Sequence, residues 1–119
     1  MTTVLFVLIV ASLGGVGAML RFLLSRFSGV LPWGILTANT LASVVAGFFL
    51  AGPEPAVPYG LLVVGFAGGL STFSSWAAQT ATYWQTKQYR KATYNAALNL
   101  LLPAAGVVAG AVFAYTLLK

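Results

Sequence analysis

The sequence predicts an all-α membrane protein that crosses the bilayer four times. Three observations carry that expectation. Hydrophobic residues fill 60% of the 119 positions and charged residues only 6%, against roughly 25% charged in an average soluble domain. The apolar residues fall into four runs, at about 4–24, 33–50, 58–84 and 92–118, each near the roughly 20 residues that a helix needs to cross the hydrocarbon core. A soluble domain of this size buries only about two-thirds of what its unfolded chain exposes, so the excess apolar surface needs lipid as its solvent. Residues 1–119 are therefore expected to form a single transmembrane unit, with no separate soluble domain.

The first run contains Gly14, Gly15 and Gly17, has Arg21 near its end, and leads into the polar stretch 25–29. It lacks the basic n-region and cleavage site of a signal peptide, so it is expected to be retained as a helix. Pro32-Trp33 opens the second run; proline suits a first helical turn, where its missing N–H is not needed, and Trp33 suits the headgroup belt. Gly52-Pro53-Glu54-Pro55 ends that helix and holds the only carboxylate side chain. The third run starts near Pro58 and is interrupted between Gly65 and Thr72; the fourth follows the polar link 85–91 and carries Pro103 in its interior.

The net charge of +5 has no nucleic-acid character. Its six basic residues, Arg21, Arg26, Lys87, Arg90, Lys91 and Lys119, lie at helix ends and in links and offer no basic face that could follow a phosphate backbone. Arg21, Arg26, Lys87, Arg90 and Lys91 share one side of the membrane, against Lys119 and Glu54 on the other. The positive-inside tendency then puts the first and third links in the cytoplasm and both termini outside. The chain has no cysteine and no histidine, which excludes disulfides, Cys/His zinc sites and a Ser-His-Asp triad, and no enzymatic activity is expected.

Three features carry candidate chemistry. In Gly65-Phe-Ala-Gly-Gly-Leu-Ser-Thr-Phe-Ser-Ser-Trp76, glycines and hydroxyl residues make a poor continuous helix. Irregular backbone at membrane depth must be buried in protein or line a wet cavity. Carbonyls freed by such a break can ligate a cation, and the N-terminus of the resumed helix favours an anion; the alternative is that the small residues only let helices approach closely. Asn39 lies seven residues after Pro32, about 10 Å along a helix. Its amide can offer two N–H donors to an anion or make an interhelical hydrogen bond. Phe73 and Trp76 share a helical face, where ring edges can meet a small anion or simply pack. Arg21 can snorkel to the headgroups or create a cationic vestibule.

Together, Gly14-Gly-Val-Gly-Ala-Met-Leu-Arg21, Gly34-Ile-Leu-Thr-Ala-Asn39 and the run from Gly65 to Trp76 resemble, in order and spacing, the Fluc/CrcB fluoride channels, and the resemblance covers the whole chain. It implies a passive fluoride-selective channel in the cell inner membrane, driven by the membrane potential. It further implies an antiparallel dimer of four-helix subunits, with two fluoride pores and a structural sodium ion (Na+) on the dimer axis. Carried over by position, the backbone carbonyls of Gly68 and Ser71 would ligate sodium. Asn39, Phe73 and Trp76 would line the fluoride path, Thr72 and Ser74 would supply hydroxyls, and Arg21 would match the family's arginine at the end of the first helix. Two positions depart from the pattern. Trp76 stands where the family has phenylalanine, and Asn99 and Pro103 stand where its fourth helix carries a polar residue and then a serine.

An antiparallel homodimer requires one sequence to insert both ways, whereas the charge bias here favours one orientation. The resemblance therefore leaves open a heterodimer with a homologous subunit, including one in which this chain's own pore is degraded or absent. A small multidrug exporter of similar length would need a membrane-embedded carboxylate, and Glu54 lies in a Pro-flanked link.

Overall fold

The computed structural model of the chain describes residues 2–52 and 60–119. Within them four helices are long and apolar enough to span a bilayer: α1 (Thr3–Ser25), α2 (Trp33–Leu50), α3 (Gly60–Gln85, interrupted) and α4 (Tyr89–Leu117). The chain is a multi-pass membrane protein. The expected start of the third run at 58 and the Pro-flanked Glu54 lie outside the described residues. Helix α4 begins at Tyr89 rather than 92, because the turn between α3 and α4 is tighter than its polar composition suggests. Lys87 adopts the left-handed conformation at φ 60°, Gln88 N–H donates to Tyr83 O and Lys87 N–H to Trp84 O. That pair of bonds is a Schellman motif, which ends α3 and reverses the chain at once.

Burial runs inside out relative to a soluble protein. The buried cluster is Ala38, Ala42, Ala67 and Leu70, while Phe22, Leu101, Val108 and Phe113 are more than half exposed. Lipid makes this favourable: apolar side chains gain nothing by leaving hydrocarbon tails, so helices associate through small residues that permit close backbone contact. A Cβ at Gly47 or Gly110 would run into the Val107 or Val44 carbonyl, so these two glycines set the approach of α2 and α4. Gly17 and Gly69 do the same for α1 and α3, where a Cβ would meet the carbonyls of Phe66 and Gly14.

The interruption of α3 positions the site. Gly60–Ala67 winds as a π-helix and Gly68–Leu70 adds a single α turn. Ser71 and Thr72 are then extended, at φ −79°, ψ 156° and φ −153°, ψ 124°, and Phe73–Gln85 resumes as α-helix. The third run is therefore broken, but its glycines do not make the break. They remain helical, and Gly65 and Gly69 serve the α1 contact, while two hydroxyl residues form the extended step. Thr72 closes the step by capping the resumed helix, accepting Ser75 N–H on its Oγ1 at 3.2 Å.

Candidate functional site

Each half of α3 ends or begins at the break with unpaired backbone groups, and α2 supplies the side chain that takes them up. Thr72 N–H donates to Asn39 Oδ1 at 2.7 Å, and Asn39 Nδ2 donates back to Thr72 O at 3.1 Å. One side-chain amide thus pairs with both backbone groups of one residue, as a neighbouring strand would. Since Thr72 N–H goes to Asn39, the carbonyl of Gly68 loses the i+4 donor that a continuous helix would give it. Ser71 N–H makes the last regular bond, to Ala67 O at 3.0 Å.

From Asn39 the polar chain crosses to α4. Asn39 Nδ2 also donates to Asn99 Oδ1 at 3.1 Å. Asn99 Nδ2 donates to the backbone and side-chain oxygens of Asn95 at 3.1 and 3.2 Å, and Asn95 Nδ2 donates to Thr80 Oγ1 at 2.9 Å. Asn95 and Asn99 are both buried, and each of these amides has partners, as burial in a low-dielectric interior demands. For Asn39 the geometry is the interhelical one: both amide hydrogens are directed at groups of this chain.

Phe73 and Trp76 meet edge to face, with centroids 5.1 Å apart and planes at 74°. The Trp76 indole N–H turns inward to Asn95 O at 3.1 Å, so the ring, not its donor, fronts the adjoining space. Phe73 is 75% exposed although it sits beside the buried break. A cavity of about 350 Å³ joins Asn39, Ser43, Ser71, Thr72, Phe73, Trp76, Asn99 and Pro103. Pro103 thus reaches the position that the family pattern gives to a serine, and presents ring carbons there.

Arg21 points into the protein. Its Nη1 donates to Ser71 O at 3.1 Å, and it borders a cavity of about 220 Å³ with Ser25, Thr72, Ser74 and Ser75. Thr72 Oγ1 and Ser74 Oγ are 3.2 Å apart. This hollow opens beside the first turn of the resumed helix, so a guanidinium, hydroxyls and a helix N-terminus converge on one space. All three favour an anion.

Gly68 and Ser71 border a separate cavity of about 230 Å³, walled by Ala42, Ser43, Ala46, Val63, Ala67 and Val107. Among the described residues no group of His, Cys, Asp or Glu could hold a metal ion, so a cation here would rest on neutral oxygens. Unwound backbone carbonyls suit sodium, and Gly68 O is freed by the Asn39 clamp. One chain brings two such carbonyls, fewer than the roughly six oxygens a hard cation takes, and Ser71 O already accepts from Arg21. The donors therefore fit a sodium ion only as half of a shared site.

The break brings together every candidate read from the sequence: Asn39, Asn99, Thr72, Ser74, Phe73, Trp76, Arg21 and the Gly68 and Ser71 carbonyls. Asn95, Thr80 and Ser75 were not among them, although all three take part in the network. Asn95 carried a usable signal, since it lies one turn before Asn99 on the same helical face. Gln79 Oε1, also outside the sequence-based set, is buried and unpaired.

The family model described as "CrcB-like protein, Camphor Resistance (CrcB)" matches residues 8–111. Proteins named "Fluoride-specific ion channel FluC" are similar over most of their length. The one from Xanthomonas axonopodis pv. citri is 40% identical over 108 residues, covering 82% of this chain and 81% of its own. The one from Aeromonas salmonicida is 38% identical over 115 residues, covering 87% and 90%. The one from Elusimicrobium minutum is 36% identical over 110 residues, covering 86% and 87%.

Proposed function

Because the chain belongs to the CrcB family, we propose that it is a subunit of a fluoride-selective channel in the cell inner membrane. Through it the membrane potential drives fluoride out of the cytoplasm without ATP or a covalent step. The observation that carries this reading is the restart of α3 at Thr72. A 13-residue helix begins there, about 20 Å of helix away from the link to α4, with its N-terminus deep in the bilayer beside Arg21 and three hydroxyl residues. Fluoride holds its water tightly, so a selective path must replace that shell with closely spaced donors and positive ring edges. Thr72, Ser74, the first-turn amides and the Phe73–Trp76 pair are of that chemistry. Asn39 and Asn99 contribute by holding the break in shape, and they donate to fluoride only by exchanging an internal partner.

The channel is an antiparallel dimer in this reading. The chain measures 51 × 33 × 18 Å, so it is a slab less than two helix diameters thick. Phe73 and Gly68 are exposed on it next to buried polar groups, and a second copy would cover them. That copy would also supply the second pair of carbonyls for a sodium ion on the shared axis, with lipid around the rest. One observation favours a variant of this reading. Arg21, Arg26, Lys87, Arg90 and Lys91 lie toward one side of the membrane against Lys119 on the other, and such a bias suits a subunit that inserts one way and pairs with an oppositely inserted homologue.

The test is fluoride efflux from liposomes containing only the purified chain, with chloride as the control anion. Fast, fluoride-selective efflux establishes a self-sufficient channel in which both orientations form. No efflux from folded protein sinks the homodimer. Co-expression with a homologue then separates a heterodimer subunit, which regains flux, from a scaffold, which does not.

A further inference from the structure

Thr80 is the end of a hydrogen-bond chain whose direction the α3 break dictates. Oxygen and nitrogen of a side-chain amide are told apart by their partners, and here the partners leave no freedom. Thr72 N–H can only donate, so the atom of Asn39 that receives it is the oxygen. The nitrogen of Asn39 then faces Thr72 O and Asn99, which must answer with its own oxygen. Asn99 therefore turns its nitrogen to Asn95, Asn95 answers with oxygen, and the nitrogen of Asn95 is left for Thr80 Oγ1. Reversing any one amide would set two N–H groups or two oxygens against each other inside a buried network.

The consequence falls on Thr80. Its oxygen accepts from Asn95, so its hydroxyl hydrogen is free to donate elsewhere. Other hydroxyl residues in these helices give that hydrogen to the carbonyl four residues back: Thr40 to Leu36, Thr82 to Ala78, Thr86 to Thr82, Thr93 to Tyr89. Thr80 makes no such bond among the described residues. It borders instead a groove of about 560 Å³ that runs from Phe73 and Trp76 past Ala77 to Trp84 and Gln85. That groove starts at the aromatic pair and ends at Gln85, the last residue of α3.

We infer that Thr80 is a further anion-binding step of the channel, donating its hydroxyl to fluoride between the Phe73–Trp76 pair and the link to α4. The amide chain behind it occupies the oxygen as an acceptor and offers its hydrogen no inward partner, so the break sets a donor about two helical turns away. This deepens the channel reading above and rests on it, and on the second copy that closes the groove from lipid.

The experiment uses the full chain with Thr80→Val, which keeps the shape but removes the hydroxyl both as donor and as the acceptor of Asn95 Nδ2, and Thr80→Ser, which keeps both. The thermal midpoint of Thr80→Val in detergent shows whether the lost acceptor has disturbed the fold. Two readouts are followed. One is fluoride efflux from liposomes against chloride. The other is tryptophan fluorescence in detergent during titration with sodium fluoride against sodium chloride, since Trp76 and Trp84 flank Thr80 in the groove. The expected result is a loss of efflux of roughly tenfold or more in Thr80→Val, the scale of one hydrogen bond to a charged group. The fluoride-specific fluorescence change is lost with it, and both are kept in Thr80→Ser. Efflux from Thr80→Val equal to that of the unsubstituted chain, or an equal fall in both variants, overturns the inference while leaving the channel reading in place. If the unsubstituted chain passes no fluoride alone, the self-sufficient channel fails and the titration still decides. A fluoride-specific change abolished by Val but not Ser upholds Thr80, and no change in the unsubstituted chain removes it.

Discussion

Asn39 is the residue on which the site turns, and its worth lies in being both acceptor and donor. Asp at this position would still accept Thr72 N–H but would set carboxylate oxygens against Thr72 O and Asn99 Oδ1, now 3.1 Å from the amide nitrogen. Asn39→Asp is therefore expected to lower the thermal midpoint in detergent, by a loss of about 2–4 kcal/mol, and to abolish fluoride efflux. Retention of both would show that the clamp is dispensable. Asn39 was recognisable in the sequence as a lone amide at membrane depth, with two possible uses. Its partner was not, because Thr72 is 33 positions away and only folding brings its backbone N–H to the α2 face. The same holds for Trp76. Its place three residues after Phe73 predicted a shared face, whereas its indole N–H points to Asn95 O because α4 passes on the inner side.

Among the elements, α3 was legible as a broken helix and illegible in how it breaks. The run predicted a poor continuous helix from its glycines and hydroxyl residues together; in the structure Gly65, Gly68 and Gly69 are all helical, and it is the hydroxyl pair Ser71-Thr72 that extends. The physical reason is local. An extended step needs side-chain oxygens to replace lost backbone bonds, while a tight helix contact needs the absence of a side chain. Gly69→Ala is accordingly expected to act on packing: its Cβ would meet the Gly14 carbonyl, pushing α1 from α3 at a cost of about 1–3 kcal/mol. Thermal denaturation in detergent checks this, and an unchanged midpoint would mean the seam can open freely. The turn after α3 offers the opposite case. Lys87 pays no role in the break, yet holds φ 60°, a conformation that costs a side-chain-bearing residue roughly 1 kcal/mol. Lys87→Gly is expected to stabilise the protein by about that amount in the same assay.

For the whole molecule, the deciding quantities are charge placement and the unfilled faces of a thin slab. The chain contains no cysteine, so single cysteines can be introduced without background. Ser28→Cys in the first link and Thr86→Cys in the third are expected to react with a membrane-impermeant maleimide predominantly from the cytoplasmic side, as the placement of five basic residues requires. Equal labelling from both sides would mean that the bias is too weak to orient the chain, and would remove the argument for an oppositely inserted homologue.

Composition and spacing were enough for the membrane class, the four spans, the interruption of the third and the residue types at the site. Those properties depend on hydrophobicity along the chain and on local backbone preference, both of which are written in consecutive residues. Folding alone decided that Asn39 clamps Thr72, that Arg21 reaches the Ser71 carbonyl, and that the amides of α2 and α4 form one directed chain ending at Thr80. Each of these is a contact between segments far apart in sequence, and a hydrogen bond has a direction and a reach of about 3 Å, which no pattern of neighbours along the chain can supply.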